Sequence, residues 1–373
     1  LSQGKLRPDF HGVELGMSDR LVLRSISSAA GVPLGKTEKL WIELGDPGLV
    51  AERLIAVKKQ TTLFSEPLTL ARVIRNLEAI ESADGRDSQT KKTKLLAQLL
   101  HDSSPVEARF LCRIVTGRMR VGAGAMTILD ALAEAFAGKE DRPLIERGYN
   151  ITCDLGLIAE TLATEGLEGV ESIKVAVGSP LKVMLAARLH SQEQLLERTR
   201  GRRAMESKYD GIRVQAHISA GEVRLYSRRL EDLTSNFPDV AAALAAGCRV
   251  KDAIIEGECV AVDRDTGAML PFQTVTHRRK KHGMEQAVRD IPVRIFMFDM
   301  VYADGEDLTA RPYEERRRAL AESFEIGGQV ELTKMRVVGS VEEGLAFFNE
   351  ALEDKCEGIM AKSLAEDRSE EHT

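Results

Sequence analysis

Residues 206–213 read Glu-Ser-Lys-Tyr-Asp-Gly-Ile-Arg, ESKYDGIR, and set one lysine ahead of an Asp-Gly pair with Arg213 a short way beyond it. Lys208 is the candidate nucleophile. A lysine amine is mostly protonated at neutral pH, and freeing it costs roughly 4–5 kcal/mol. Nucleophilic lysines therefore sit where desolvation, neighbouring cations or a bound metal lower that cost. Taken alone, KYDG reads as a solvated turn in which Asp-Gly closes a hairpin. The segments downstream of it decide between a turn and a reactive site.

These segments are LYSRR (225–229), IIEGECVAVD (254–263), LPFQTVTHRRKK (270–281), FMFDMVYADGEDL (296–308) and EGIMAKSL (357–364). Each lies in or follows an apolar segment with strand character, with charged residues at the ends or turns. Carboxylates delivered in this way can converge on one cleft. Glu256 and Glu258 are expected to share one sheet face, with Gly257 between them leaving the other face uncrowded. Such hard oxygen ligands suit Mg²⁺ carrying substrate phosphates. Taken separately, each is equally at home as a strand-end surface carboxylate.

The order and spacing of these segments resemble the ATP-dependent DNA ligases of archaeal type, members of the covalent nucleotidyltransferases, over nearly the whole chain. The resemblance implies an enzyme that seals nicks in duplex DNA. Lys208 would become AMP-linked, AMP would pass to the 5′-phosphate, and the 3′-hydroxyl would displace it. By the same resemblance Glu206 helps hold adenine, and Arg213 and Arg228 contact the ribose and phosphate region. Glu258 contacts the ribose and supports the metal, Phe298 stacks on the base, Glu357 supports the metal, and Lys362 faces the α-phosphate. Asp210 is given a supporting role. ATP and Mg²⁺ are the implied cofactors. Adenylation is attack on an α-phosphorus, and the chemistry agrees, since it requires cations around the phosphate and the leaving pyrophosphate. From the pattern alone, Phe298 reads as ordinary core in an apolar strand; only its place in the family series makes it a base-stacking residue.

In the resembled family a lysine-rich strand and a small OB-fold domain come next. The residues here end in AEDRSEEHT at Thr373, so the C-terminal OB-fold domain is expected to be missing or incomplete, and self-adenylation and sealing to be weak for these residues alone. Leu1 in place of methionine points to missing sequence at the start. Two other functions stay open: a nick-binding module or scaffold with an inert site, and a related RNA ligase or capping guanylyltransferase. Preference for ATP over GTP separates the last of these.

With 373 residues and 43% apolar content the chain can bury more than one core. No run of eighteen apolar residues and no signal-peptide pattern occurs, so neither membrane spanning nor secretion is expected. The expected location is the cytoplasm, in association with the nucleoid. Cys112, Cys153, Cys248, Cys259 and Cys356 are scattered, without a C-x-x-C pair, and read as reduced core thiols. His277 and His282 read as surface residues. The net charge of −6 does not advertise a nucleic-acid binder. Three local clusters do: Arg198, Arg200, Arg202 and Arg203; Arg278, Arg279, Lys280 and Lys281; and Arg113, Arg118 and Arg120 beside VGAGAM. Nicked duplex DNA is the expected partner of a monomer. A sliding clamp is implied by the resemblance, although no clear clamp-binding peptide is present.

The fold class expected is multi-domain. Residues 1–170 read as an all-α DNA-binding domain, with apolar residues at helical spacing in LTLARVIRNLEAIES and TILDALAEAFAG. Thr127 is the expected N-cap of the second helix and Gly138 its stop. VGAGAMT lacks the third glycine of a dinucleotide loop. It reads either as a tight interhelical turn or as small residues that let a helix N-terminus approach a DNA phosphate. Residues 165–180, EGLEGVESIKVAVGSP, read as a linker. Residues 171–373 read as an α+β adenylation (nucleotidyltransferase) domain built on antiparallel sheets.

Overall fold

The computed structural model describes residues 1–11, 15–58, 68–184, 203–279 and 284–364. The chain divides into two compact units, Leu1–Arg142 and Pro143–Thr373.

The first unit is helical. Its core joins apolar faces of α1 (Asp19–Ala30), α3 (Pro47–Ala56), α4 (Leu70–Glu81), α5 (Ser88–Asp102) and α6 (Pro105–Val115), with α2 (Leu34–Leu44) alongside. Local chemistry sets the starts. Asp46 caps α3 by accepting from Gly48 N–H at 2.7 Å, and Ser104 and Glu107 form a capping box ahead of α6. Helix α7 (Ala125–Phe136) begins three residues before the expected start. Gly124 is its N-cap and Ala137 its C-cap, so Thr127 lies inside the first turn. Gly124 has extended backbone at the cap, and the small residues either side allow the chain to enter the helix earlier than a threonine cap requires.

The second unit opens with α8 (Arg142–Thr152) and α9 (Leu155–Glu171). Gly166 breaks α9 with φ 71° and ψ −159°, a conformation open to glycine and costly elsewhere. Residues expected to be linker are thus helical as far as Glu171. Beyond it, Val175 and Leu181 bury their side chains with Ile151, Ile254 and Val301. The β-branched and apolar residues there are packing residues, and the segment is anchored to the sheet.

Two sheets complete the unit. The smaller has the antiparallel order β8-β1-β9, with β1 Arg203–Lys208, β8 Met335–Val338 and β9 Gly358–Ser363. The larger runs β3-β2-β4-β5-β6, comprising β2 (Ile212–Ser219), β3 (Glu222–Ser227), β4 (Asp252–Ala261), β5 (Val293–Ala303) and β6 (Glu306–Asp307). A short β7 (Val330–Leu332) pairs parallel to β5. KYDG therefore makes no hairpin. β1 and β2 belong to different sheets, and Tyr209–Gly211 carries the chain from one to the other. Residues 270–279 are likewise not a strand: Phe272–Thr276 is a short helix and His277–Arg279 a 3-10 turn.

Candidate functional site

Four charged residues sit along one edge of the β1–β9 ladder. Glu206 and Lys208 are two residues apart and share a face of β1, opposite Met360 and Gly358 of β9. Lys362, opposite Ala204, reaches diagonally so that its Nζ lies 2.8 Å from Glu206 Oε2. Lys208 Nζ contacts the Glu357 carboxylate, and Glu357 N–H donates to Lys208 C=O at 2.8 Å. The two pairs differ in setting. Glu206 and Lys362 are buried, while Lys208 and Glu357 are half-exposed.

The turn at Lys208 is held from below. Tyr209 stacks on Phe296 with ring centres 4.1 Å apart. At Gly211 a Cβ would come within 2.4 Å of the Cys259 carbonyl, so only glycine lets the turn lie against β4. Close approach, and not a left-handed backbone, explains this glycine.

The larger sheet contributes Arg213, Glu258 and Phe298. Arg213 and Glu258 face each other in the β2–β4 register. Burial pushes the Glu258 carboxyl up to about 7, and Asp210 adds to the rise; the charges of Arg213 and Lys208 and the Gly211 N–H only partly offset it. Two cations lie over the partly exposed ring of Phe298: the Arg213 guanidinium at 5.1 Å and Lys362 Nζ at 5.0 Å from its centre. Arg213 Nε is buried and has no hydrogen-bond partner among the described residues. An unmet donor beside an aromatic face is what a ligand site presents.

Lys208, Glu206, Lys362 and Glu357 are thus brought together on one sheet, and Arg213, Glu258 and Phe298 on the other; Lys362 reaches Phe298. Arg228 is exposed in the turn after β3, and no contact among the described residues joins it to this group. Gly257 is more crowded than expected. A Cβ there would meet the Ile295 side chain at 3.0 Å and the Phe296 carbonyl at 3.1 Å, beside a register shift between Glu256 and Gly257.

Sequence reasoning missed several participants. Tyr313 is fully buried, donates its hydroxyl to Glu206 and lies 4.4 Å, ring centre to Nζ, from Lys362. Arg317 stands 3.7 Å from Glu206. Glu256 accepts from Arg213 Nη2 at 2.8 Å and from Gln215 Nε2 at 3.0 Å. His217 beyond them is buried, which pushes its imidazole down to about 3 and keeps it neutral despite the pull of Glu256. The alternation in IRVQAHIS carried a signal: polar residues 213, 215 and 217 share one face. For Tyr313 no sequence signal was available.

The basic clusters separate. Arg278 is 0% exposed and is clasped by Asp239 at 2.6 and 3.0 Å, over the Phe237 ring, so it is an internal ion pair and not a DNA contact. Arg203 is buried in β1. Arg113 is mostly buried against Asp46 at 2.8 Å, whereas Arg118 and Arg120 are about half-exposed beside Asp19 and Asp46. Arg198, Arg200, Arg202, Lys280, Lys281 and His282 lie outside the described residues, as do residues 365–373; His277 is exposed. None of the five cysteines is in a disulfide; Cys248 is partly exposed and the others are buried.

Three comparisons bear on this geometry. A family model described as "ATP dependent DNA ligase domain" matches residues 183–369, and one described as "DNA ligase N terminus" matches residues 1–133. "DNA ligase 2" of Thermofilum pendens is 45% identical over 373 residues, covering 98% of this chain and 62% of that relative. "DNA ligase" of Aeropyrum pernix is 43% identical over 385 residues, covering 98% and 63%. The chain thus spans a little over three-fifths of these relatives' length. Among solved structures, "Pmar-Lig_PreS3" matches with a TM-score of 0.51 at 13% identity, over 94% of this chain and 74% of that one, a likeness of fold.

Proposed function

Because the chain belongs to the ATP-dependent DNA ligase family, we propose that Lys208 is the nucleophile of a nick-sealing ligase and that ATP supplies its AMP. The observation that carries this is that Lys362, paired with Glu206 on one sheet, and Arg213 on the other sheet both lie over the Phe298 ring, with Lys208 on the Glu206 face of β1.

Nζ of Lys208 forms a bond to the α-phosphorus as the bond to pyrophosphate breaks, and the amine gives up its proton. Lys208 Nζ contacts the Glu357 carboxylate in the ligand-free chain, so Nζ must leave Glu357 to attack. Lys362 and Arg213 supply positive charge for the phosphates. Phe298 offers the ring on which the base stacks, and buried Glu206 is the acceptor for adenine. Arg228 reaches the nucleotide from the exposed turn. An oxygen of the nick's 5′-phosphate then takes AMP, breaking the N–P bond, and attack by the 3′-hydroxyl releases AMP and forms the phosphodiester.

Mg²⁺ fits the donor set. Among the described residues no group of three or more His, Cys, Asp and Glu is gathered to hold a metal alone. Glu258 and Glu357 instead flank Lys208, and Mg²⁺ commonly takes one or two carboxylates with phosphates and water completing its shell. When bound there it neutralises charge on the phosphates and the leaving pyrophosphate.

Residues 1–170 form the DNA-gripping part in this reading, with the exposed Arg118 and Arg120 as phosphate contacts. Nicked duplex DNA is the substrate and a sliding clamp a further partner of a monomeric, cytoplasmic, nucleoid-associated protein. No helix among the described residues is long and apolar enough to cross a membrane.

Intact mass before and after incubation with ATP and Mg²⁺, with peptide mapping and Lys208→Ala as control, tests the nucleophile. One AMP adduct on Lys208 is expected. No adduct, in this chain and in one extended to the relatives' full length, sinks the proposal and favours a nick-binding module with an inert site. A preference for GTP would favour a capping enzyme.

A further inference from the structure

We infer that Gln215 and His217 are positioning residues that hold Arg213 in the nucleotide site by tying it to the backbone of residues 178–181. The inference rests on the reading of Arg213 just given. Strand β2 sends Ile212, Val214, Ala216 and Ile218 into the main core. Arg213, Gln215 and His217 project from the opposite face, which is covered and not wetted: Gln215 is 3% exposed and His217 2%. Polar atoms buried this way need partners.

The bond directions are forced one after another. Gly178 N–H donates to His217 Nδ1 at 2.9 Å. An imidazole nitrogen that accepts carries no proton, so the proton of the neutral ring is on Nε2. Nε2 lies 2.9 Å from Gln215 Oε1, which also accepts the Leu181 N–H at 2.8 Å. With its oxygen committed there, the Gln215 amide must turn its NH₂ the other way. That group donates to Glu256 Oε1 at 3.0 Å and to the Leu181 carbonyl at 3.4 Å. Glu256 Oε2 accepts from Arg213 Nη2 at 2.8 Å, and the guanidinium so held lies over Phe298. Tyr226, edge-on to His217 at 5.0 Å between ring centres and 86°, fixes the imidazole plane. A Gln215 flip would set N–H against N–H at His217 and oxygen against oxygen at Glu256, so the chain has one polarity.

The test is the variant Gln215→Leu, with Gln215→Met as the second variant should the first not fold. Two readouts are followed: the side-chain ¹⁵N resonances of Arg213, and the kinetics of Lys208 adenylation. The Arg213 resonances are expected to shift and lose their order. The KM for ATP is expected to rise about tenfold with kcat within roughly threefold, and adding the change to Arg213→Ala to alter KM by less than about twofold. Unmoved Arg213 resonances, or effects that multiply in the double variant, overturn the inference and leave the ligase reading standing. Absence of any adduct in the unaltered chain removes the ligase reading, and the Arg213 resonances then decide the positioning role by themselves.

Discussion

Lys362 Nζ lies 2.8 Å from Glu206 Oε2, so the residue assigned to the α-phosphate and the residue assigned to adenine neutralise each other in the ligand-free chain. Both are buried, and Tyr313 and Arg317 complete the surroundings of the carboxylate. Removing one member of a buried pair leaves the other charge poorly compensated. Lys362→Met should therefore destabilise the second unit by about 3 kcal/mol in denaturant titrations, and the double change with Glu206→Gln should recover most of that loss. Both variants should lose the AMP adduct. Unchanged stability in Lys362→Met would show that Tyr313 and Arg317 suffice for Glu206.

Gly211→Ala tests the close approach of the β1–β2 turn to β4. The added methyl has the Cys259 carbonyl 2.4 Å away, a backbone atom that cannot swing aside. A loss of roughly 1–3 kcal/mol is expected, together with slower adduct formation because the turn carries Lys208. Unaltered adenylation in a folded variant would separate the turn from the chemistry.

Asp46 provides a pH test. Burial alone would raise its carboxyl, but hydrogen bonds from Arg113 and Gly48 N–H and the charges of Arg113 and Arg120 hold it below the ordinary 3.8. With the folded-state value below the unfolded one, the unfolded chain binds more protons in acid. The stability contributed by Asp46 is complete above about pH 5 and disappears as pH falls through the folded value. The stability difference between the unaltered chain and Asp46→Asn should be flat at neutral pH and shrink on acidification. Fluorescence of Trp41, which packs on the same core, reports the unfolding. A difference that grows in acid would refute the assignment.

Arg278 and Arg118 should behave as opposites. Arg278→Ala removes a fully buried guanidinium and takes one partner from Asp239, itself 23% exposed and still bonded by Gln329, and should cost about 3 kcal/mol of stability. Arg118→Ala should leave stability within about 1 kcal/mol and reduce the salt slope of DNA binding by about one. Equal salt slopes for Arg118→Ala and the unaltered chain would remove Arg118 from the DNA surface.

The helical first unit and the antiparallel sheets were legible because periodicity survives in single segments, as in Leu70–Glu81 and Val293–Ala303. Lys208, Glu206, Arg213, Arg228, Glu258, Phe298, Glu357 and Lys362 were singled out through the order of motifs, which resembles that of the family. Their pairing was not legible, because it depends on register between strands separated by more than a hundred residues, as with Lys208 and Glu357. Arg278 misled for a related reason. A basic run looks solvated until a distant acid, here Asp239, is known to meet it. The supposed linker misled because glycine and proline flank Val175 and Leu181, whose apolar partners lie far along the chain.

The passage from β1 to β2 through Tyr209–Gly211 puts the Lys208 amine at a seam. Glu206, Lys208, Glu357 and Lys362 ride on one ladder, and Arg213, Glu258 and Phe298 on the other. A molecule that touches both groups at once acts as a cross-tie between two separately hydrogen-bonded frames, stiffening their junction beside the Lys208 amine.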